Sequence, residues 1–409
     1  MPAILRRPLP VALLIAVAAQ LLFSLRLTSP SILVFDETHY VPAARTLLSL
    51  ARPVNIEHPL LGKELIALGI LLFGDNALGW RALSTVAGTA VIAGVFAILW
   101  LGTGRLRTAV VGALCALLNF TIFVQARIGM LDGFMASFVV GGAACLLWSM
   151  RGRGGQVWRR WLGGATLLGL ATACKWTAAP YVAFAGAAFL ILRRPDRWPG
   201  LKPLSALTAL GLVSVAAYLV TFAPAFFYAE QPLTLANLLP FQLVMYGQQA
   251  QVLPSHSYQS SWWTWPLLIR PIWYFYQPVD GAQRGVLLLG NPLIMWGGLV
   301  AVAACVWGWI RTRDIKLGSA AGLWIASFAV WPLIPKSLGF YYYYYLPSIW
   351  LCVAIAAVVD HWRERAQGWD EAFLMVAAVL FVWFHPILSA APLEDPRAFA
   401  RWMWFDSWT

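Results

Sequence analysis

Charge is what this chain has least of. Only 11% of its 409 residues are Asp, Glu, Lys or Arg, where a soluble domain carries about 25%. A chain so poor in charge has no surface to offer water, so a water-soluble globule is excluded and lipid must be the solvent. Acidic residues are scarcer still, 17 against 29 basic ones, which makes each carboxylate informative. The five cysteines (Cys115, Cys145, Cys174, Cys305, Cys352) lie in or at the ends of apolar runs, without metal-ligand spacing. That argues against a disulfide framework and against a cysteine metal centre. No phosphate loop is present: Arg151-Gly152-Arg153-Gly154-Gly155 follows no strand and precedes no Gly-Lys-Ser/Thr.

What the chain has is long hydrophobic runs. Sixty per cent of its residues are hydrophobic, and a bilayer core of ~30 Å needs ~20 such residues of helix. The pattern predicts an all-α polytopic membrane protein of about 11 spans, at roughly 9–27, 77–101, 108–125, 132–150, 160–174, 176–192, 204–223, 286–310, 317–335, 340–358 and 371–389. The first run follows Arg6 and Arg7 like a signal peptide but lacks a small-residue cleavage site, so it is expected to stay as an anchor. No repeat or separate soluble domain is evident, and residues 1–409 are expected to form one transmembrane domain.

The formal charge of +12 does not indicate nucleic acid, because the basic residues cluster between apolar runs. With the N-terminus in the cytoplasm, every inward connector is basic: Arg105 and Arg107; Arg151 to Arg160; Arg193, Arg194 and Arg197; Arg311, Arg313 and Lys316; Arg363 and Arg365. This is the positive-inside pattern of a cytoplasmic (inner) membrane protein. The outward loops, about 28–76 and about 224–285, are long. The first holds two helix-like stretches, near Asp36–Leu50 and Gly62–Phe73, suited to lying along the membrane surface.

Ionisable residues beside apolar spans are costly and default to functional candidates. Here they gather on the outward side: Asp36, Glu37, His58, Lys63, Arg81, Arg127, Asp132, Lys175 and His256. One carboxylate can serve as base for an acceptor hydroxyl, and Arg or Lys can hold phosphate charge that grows as a bond breaks. A sugar phosphate is an activated donor that needs no second carboxylate as acid, unlike a glycosidase substrate. Each residue also has a structural reading. Asp36 could cap the helix after it. Arg127 and Asp132 could be an ion pair, Lys175-Trp176 a snorkelling lysine with a belt tryptophan, and His58-Pro59 a turn. The Trp262–Trp265 and Tyr341–Tyr345 runs read as an interfacial aromatic belt.

Taken together the motifs resemble the protein O-mannosyltransferase family of the GT-C membrane glycosyltransferases. FDETHY at Phe35–Tyr40 looks like that family's Asp-Glu motif. HPLLGK at His58–Lys63 is similar to its His-Pro-Pro-Leu-x-Lys, with Leu60 where a second Pro is usual. WRALSTVAG from Trp80, ARIGMLDGF around Arg127 and Asp132, and CKWTA around Lys175 match in type and order. HSYQSSWWTWPLLIRPIWY from His256, GNP at Gly290 and YYYYYLPS at Tyr341 look like the bacterial branch.

The resemblance implies a GT-C bundle and inverting transfer of mannose from a polyprenyl-phosphate carrier to Ser or Thr of a secreted or membrane protein, at the outer face. It implies Asp36 as catalytic base with Glu37 in support, and Arg81, Arg127 and Lys175 near the donor phosphate. The lipid-linked sugar is a substrate, so no cofactor is expected; a divalent metal requirement is left open. The loop after the seventh span is too short for the β-trefoil domain of eukaryotic members. Two rival functions remain: a sibling enzyme acting on a lipid or polysaccharide, and a transporter of lipid-linked sugars. A transporter would show paired repeats and ionisable residues at mid-membrane, where this chain crowds its charges at one surface.

Overall fold

The structure, a computed structural model, describes residues 7–194, 196–334, 336–365 and 367–409; Arg6 lies outside them. The chain enters through α1 (Pro8–Ser24) and then lays down α2 (Glu37–Leu48) and α3 (Leu61–Phe73), the two helices expected in the first long loop. α4 (Ala77–Thr103) starts where the Asn76 side chain accepts from the amides of Leu78 and Gly79, a cap for amides that the first turn leaves unpaired. α3 and α4 approach closely, and Gly79 permits it: a Cβ there would stand 2.0 Å from the Gly74 carbonyl oxygen. This contact sets the height of Arg81 on α4.

α5 (Leu106–Leu117) and α6 (Phe120–Gln125) break at Asn119, and α7 (Leu131–Ser149), α8 (Gly155–Cys174), α9 (Pro180–Leu192) and α10 (Pro203–Val220) follow. α11 (Leu238–Gln249) lies in the second long loop. The bundle closes with α12 (Pro292–Thr312), α13 (Ile315–Ala329), α14 (Tyr345–His361) and α15 (Trp369–Leu388). Every apolar stretch expected as a span contains a helix. Among the described residues six helices are long and apolar enough to cross a bilayer, and Pro8–Ser24, Leu106–Leu117 and Trp176–Leu192 are shorter apolar helices. α14 is central, with 89% of its apolar window buried, while α10 and α15 bury 28%. On α15 Met375, Val376, Val379, Val382 and Trp383 are exposed along one face. Such a face suits contact with lipid, since hydrocarbon tails are as apolar as these side chains.

One element departs from an all-α expectation. The eighth span was expected from about 286, but residues Ala282–Leu288 form strand β2, paired antiparallel with β1 (Ile272–Val279), and the helix begins only at Pro292. The reason is local. β1 is rich in aromatic and β-branched residues, and Asp280-Gly281 between the strands supplies two positive φ angles, 51° and 72°. That is the Asp-Gly hairpin turn. The apolar run Val286–Leu288 is a buried stretch of strand that periodicity alone cannot distinguish from a helix start.

The two ends of the bundle differ. At one end the basic turns are tied together: Arg105 to Asp360, Arg107 to Asp370, and His361 to Asp314. At the other end lie the first loop, the α6–α7 turn, the α8–α9 turn and the hairpin.

Candidate active site

Asp36 and Glu37 occupy adjacent positions at the start of α2 and diverge. Glu37 points inward and is fully buried. Its Oε1 accepts from Arg81 Nε and from the Gly129 amide, and its Oε2 from Arg81 Nη2 and the Val34 amide, all at 2.8 Å. Asp36 makes no capping bond; its Oδ2 accepts from the Tyr40 hydroxyl at 3.2 Å. Burial raises the Asp36 carboxyl above its ordinary pKa, with Lys175 opposing and Asp132 adding to the rise. So of this pair of carboxylates one is locked by four donors and the other holds a single neutral one.

The basic residues divide in the same way. Arg81 is 1% exposed. Beyond Glu37, its guanidinium donates to the carbonyls of Leu27, Pro30 and Ile32. Arg127 donates to the carbonyls of Phe23, Leu25 and Arg26 and stacks on Phe123. Both therefore clamp the exit of α1 onto the bundle, rather than standing open beside a ligand. Arg127 does not pair with Asp132. Asp132, in the first turn of α7, accepts from Lys175 Nζ through both oxygens, at 2.9 and 2.8 Å, and both side chains are buried. Lys175 Nζ also lies 4.8 Å from the Tyr342 ring centre and 5.2 Å from that of Tyr343. These tyrosines belong to the run Tyr341–Tyr345, which is buried throughout. That run is interior packing, with Tyr342 and Tyr343 against Lys175, and not an interfacial belt; of the tryptophan run, Trp263 is exposed but Trp265 is buried.

A cavity of about 450 Å³ opens at this end of the molecule, bounded by the α8–α9 turn, α10, α11 and the loop before Tyr341. Its polar end holds His58, Lys175, Gln249 and Lys336; its body is apolar, with Trp176, Ala179, Pro180 and Ile334. Asp36 stands beside the polar end, since the Tyr40 ring that bonds it meets the His58 ring edge-on, 5.8 Å between centres.

Lys336 was not singled out from the sequence. It is half-buried above the Tyr343 ring at 5.4 Å, and its ammonium has no hydrogen-bond partner among the described residues. Burial and Lys175 push it down to about 8. A lone lysine between the ninth and tenth spans gave no motif to find it by.

His58 and Lys63 are both in place but do different things. Lys63 Nζ donates to the carbonyls of Asn55 and His58, at 2.7 and 2.8 Å, and so shapes the loop that carries the histidine. It lines a second, smaller cavity of about 190 Å³ on the other side of His58, and burial holds its ammonium down to about 7. His256 is exposed, its Nδ1 accepting from the Tyr258 amide, and it lines neither cavity.

An apolar cavity that ends in cations, with the half-buried Asp36 carboxyl close by, suits a membrane glycosyltransferase of GT-C architecture. The backbone agrees. The S. cerevisiae protein O-mannosyltransferase Pmt1-Pmt2 complex bound to the sugar donor superposes with a TM-score of 0.82 at 13% identity, covering 98% of this chain and 92% of that one. ArnT from Cupriavidus metallidurans bound to undecaprenyl phosphate superposes at 0.62 with 16% identity, covering 93% of this chain and 66% of that one.

The chain belongs to the protein O-mannosyltransferase family and is a glycosyltransferase. Residues 57–227 match the model of dolichyl-phosphate-mannose-protein mannosyltransferases, and residues 234–408 match that of the C-terminal four-span region of protein O-mannosyltransferases. A polyprenol-phosphate-mannose–protein mannosyltransferase of Mycolicibacterium smegmatis is 28% identical over 458 aligned positions, covering 92% of this chain and 87% of that protein.

Proposed function

We propose that this protein transfers mannose from a polyprenyl-phosphate carrier to Ser or Thr hydroxyls of proteins, with inversion, at the outer face of the cytoplasmic membrane. The observation that carries the reading is the cavity: an apolar body for isoprene units, ending in Lys175 and Lys336 beside Asp36. The name of the mycobacterial relative supports the same donor and acceptor.

In this mechanism Asp36 takes the proton of the acceptor hydroxyl as its oxygen attacks the anomeric carbon. The carrier phosphate leaves with the bonding pair, its charge facing the two ammonium groups. Glu37 is held by Arg81, and Asp132 by Lys175, so neither is free to attack the sugar first. A single displacement inverts the anomeric centre. The leaving group is already a phosphate and needs no protonation, so the chemistry calls for no resident cofactor. The outer-face placement rests on the basic turns at the opposite end, which the positive-inside rule assigns to the cytoplasm.

The test is purified protein with polyprenyl-phosphate-mannose of known anomeric form and a Ser/Thr peptide. NMR of the glycopeptide should show the opposite anomer. Retention, or transfer only to lipid, would overturn the proposal.

A further inference from the structure

Among the described residues His58 is the only imidazole lining the cavity, and its two nitrogens are treated differently by the protein. Gln249, on the last turn of α11, brings its side-chain amide to two atoms at once: the carbonyl oxygen of Glu57, by a short contact, and His58 Nδ1, at 3.1 Å. A carbonyl oxygen only accepts, so the Gln249 atom facing it is the amide nitrogen and a flipped amide is excluded. That nitrogen has two hydrogens. One goes to Glu57, the other to His58 Nδ1, which must then carry a lone pair. In a neutral ring the proton is left on Nε2. His58 Nε2 has no protein partner among the described residues, nor is it sealed in the interior. Burial, then Lys175, Lys336 and Lys63, hold the ring well below its ordinary pKa, which keeps it neutral.

The helix that carries Gln249 is itself fixed. Trp176 Nε1 donates to the Tyr218 hydroxyl at 2.9 Å, and that hydroxyl donates to Gln242 Oε1. Gln242, Tyr246 and Gln249 follow one another at helical spacing along the cavity side of α11. Leu239 and Leu243 of the same helix are exposed.

We propose that Gln249 is a positioning residue that locks His58 in the Nε2-protonated neutral tautomer, so that His58 donates to a phosphate oxygen of the lipid-linked sugar. The inference rests on the donor reading given above. A neutral donor suits this place. A third positive charge beside Lys175 and Lys336 would repel both, and the other tautomer would turn a lone pair toward the anion.

The experiment uses the full-length protein in nanodiscs, labelled with 15N-histidine, with His58→Gln to assign the signal. The parent should show an unprotonated Nδ1 and a protonated Nε2, and undecaprenyl phosphate should shift the Nε2 resonance. Gln249→Leu should give a mixture of tautomers and cut kcat/KM for the donor by about tenfold, the scale of one lost hydrogen bond. His58→Gln, which can place an amide N–H near the Nε2 position, should retain more donor affinity than His58→Asn or His58→Leu. A purely structural histidine would not produce that order.

A parent ring protonated on Nδ1, or on both nitrogens, overturns the proposal. So does an Nε2 resonance that undecaprenyl phosphate leaves unchanged in protein that transfers mannose. A parent that transfers no sugar from any polyprenyl-phosphate donor would overturn the proposed function instead. The contact would then stand or fall on the undecaprenyl phosphate shift alone.

Discussion

Glu37 and Arg81 meet fork to fork in the interior, both carboxylate oxygens within 2.8 Å of guanidinium nitrogens and the two side chains 0% and 1% exposed. Removing one partner of such a pair strands the other charge without water. The expected cost is about 3–5 kcal/mol, because Arg81 also holds three carbonyls of the segment after α1. Glu37→Gln and Arg81→Met should therefore lower thermal stability and folded yield, measured by size-exclusion chromatography on heating. Variants as stable as the parent, with donor binding selectively lost, would return Arg81 to the phosphate.

The Lys175–Asp132 pair is buried too, yet its lysine lines the cavity. Lys175→Met alone leaves Asp132 unpaired and should destabilise. Lys175→Met with Asp132→Asn removes both charges and should regain stability, since replacing a buried pair by neutral groups is often close to neutral. It should not regain donor affinity. Thermal melts and donor titration on the same two proteins separate these effects; recovered affinity in the double variant would show that Lys175 acts only as a partner for Asp132.

Activity should rise and fall with pH. Asp36 acts deprotonated, and its carboxyl is raised by burial. The acid limb of kcat/KM should then lie above the ordinary carboxylate range, activity being lost as pH falls through it. Lys336 acts protonated and sits near 8, so activity should be lost again as pH rises past about 8. Lys336→Met should lower donor affinity by roughly tenfold to a hundredfold, the worth of one charge-assisted contact. It should also flatten the alkaline limb. A limb unchanged in that variant would belong to another group.

Sequence reasoning reached the helices because lipid enforces them: an apolar run of sufficient length has few alternatives. α2 and α3 were legible from their helical patterns and from what precedes each, a candidate N-cap at Asp36 and the His58-Pro59 pair, although Asp36 makes no capping bond. The hairpin was not, because Gly285–Leu289 reads apolar whether it is strand or helix, and only the Asp280-Gly281 pair marks the turn. At the site, the cluster Asp36, His58, Asp132 and Lys175 was legible from charge scarcity and from the family resemblance. What could not be read was which cations are already engaged. Arg81 and Arg127 have carbonyl partners at Leu27, Pro30, Phe23 and Leu25, and no side-chain pattern in the sequence encodes a partner that is backbone. Lys336 and Gln249 escaped for the converse reason: only the fold brings their loops over the α8–α9 turn.

The decisive variant is Asp36→Asn. The change keeps the shape of the side chain and an oxygen to accept from Tyr40. Asp36 makes no capping bond to α2, so helix stability should not depend on the charge. Its burial penalises the carboxylate, which means the neutral amide costs the fold nothing that the acid did not. What disappears is the base. A positioned base is worth about a hundredfold to ten-thousandfold, so turnover should fall by that factor, while undecaprenyl phosphate still binds at Lys175 and Lys336 with close to parent affinity. Glu37 cannot substitute, because its oxygens already accept four donors from Arg81, Val34 and Gly129. The measurement is donor binding and peptide mannosylation on the same purified protein. Transfer at near the parent rate would mean that the acceptor loses its proton elsewhere, and the mechanism built on Asp36 would fail.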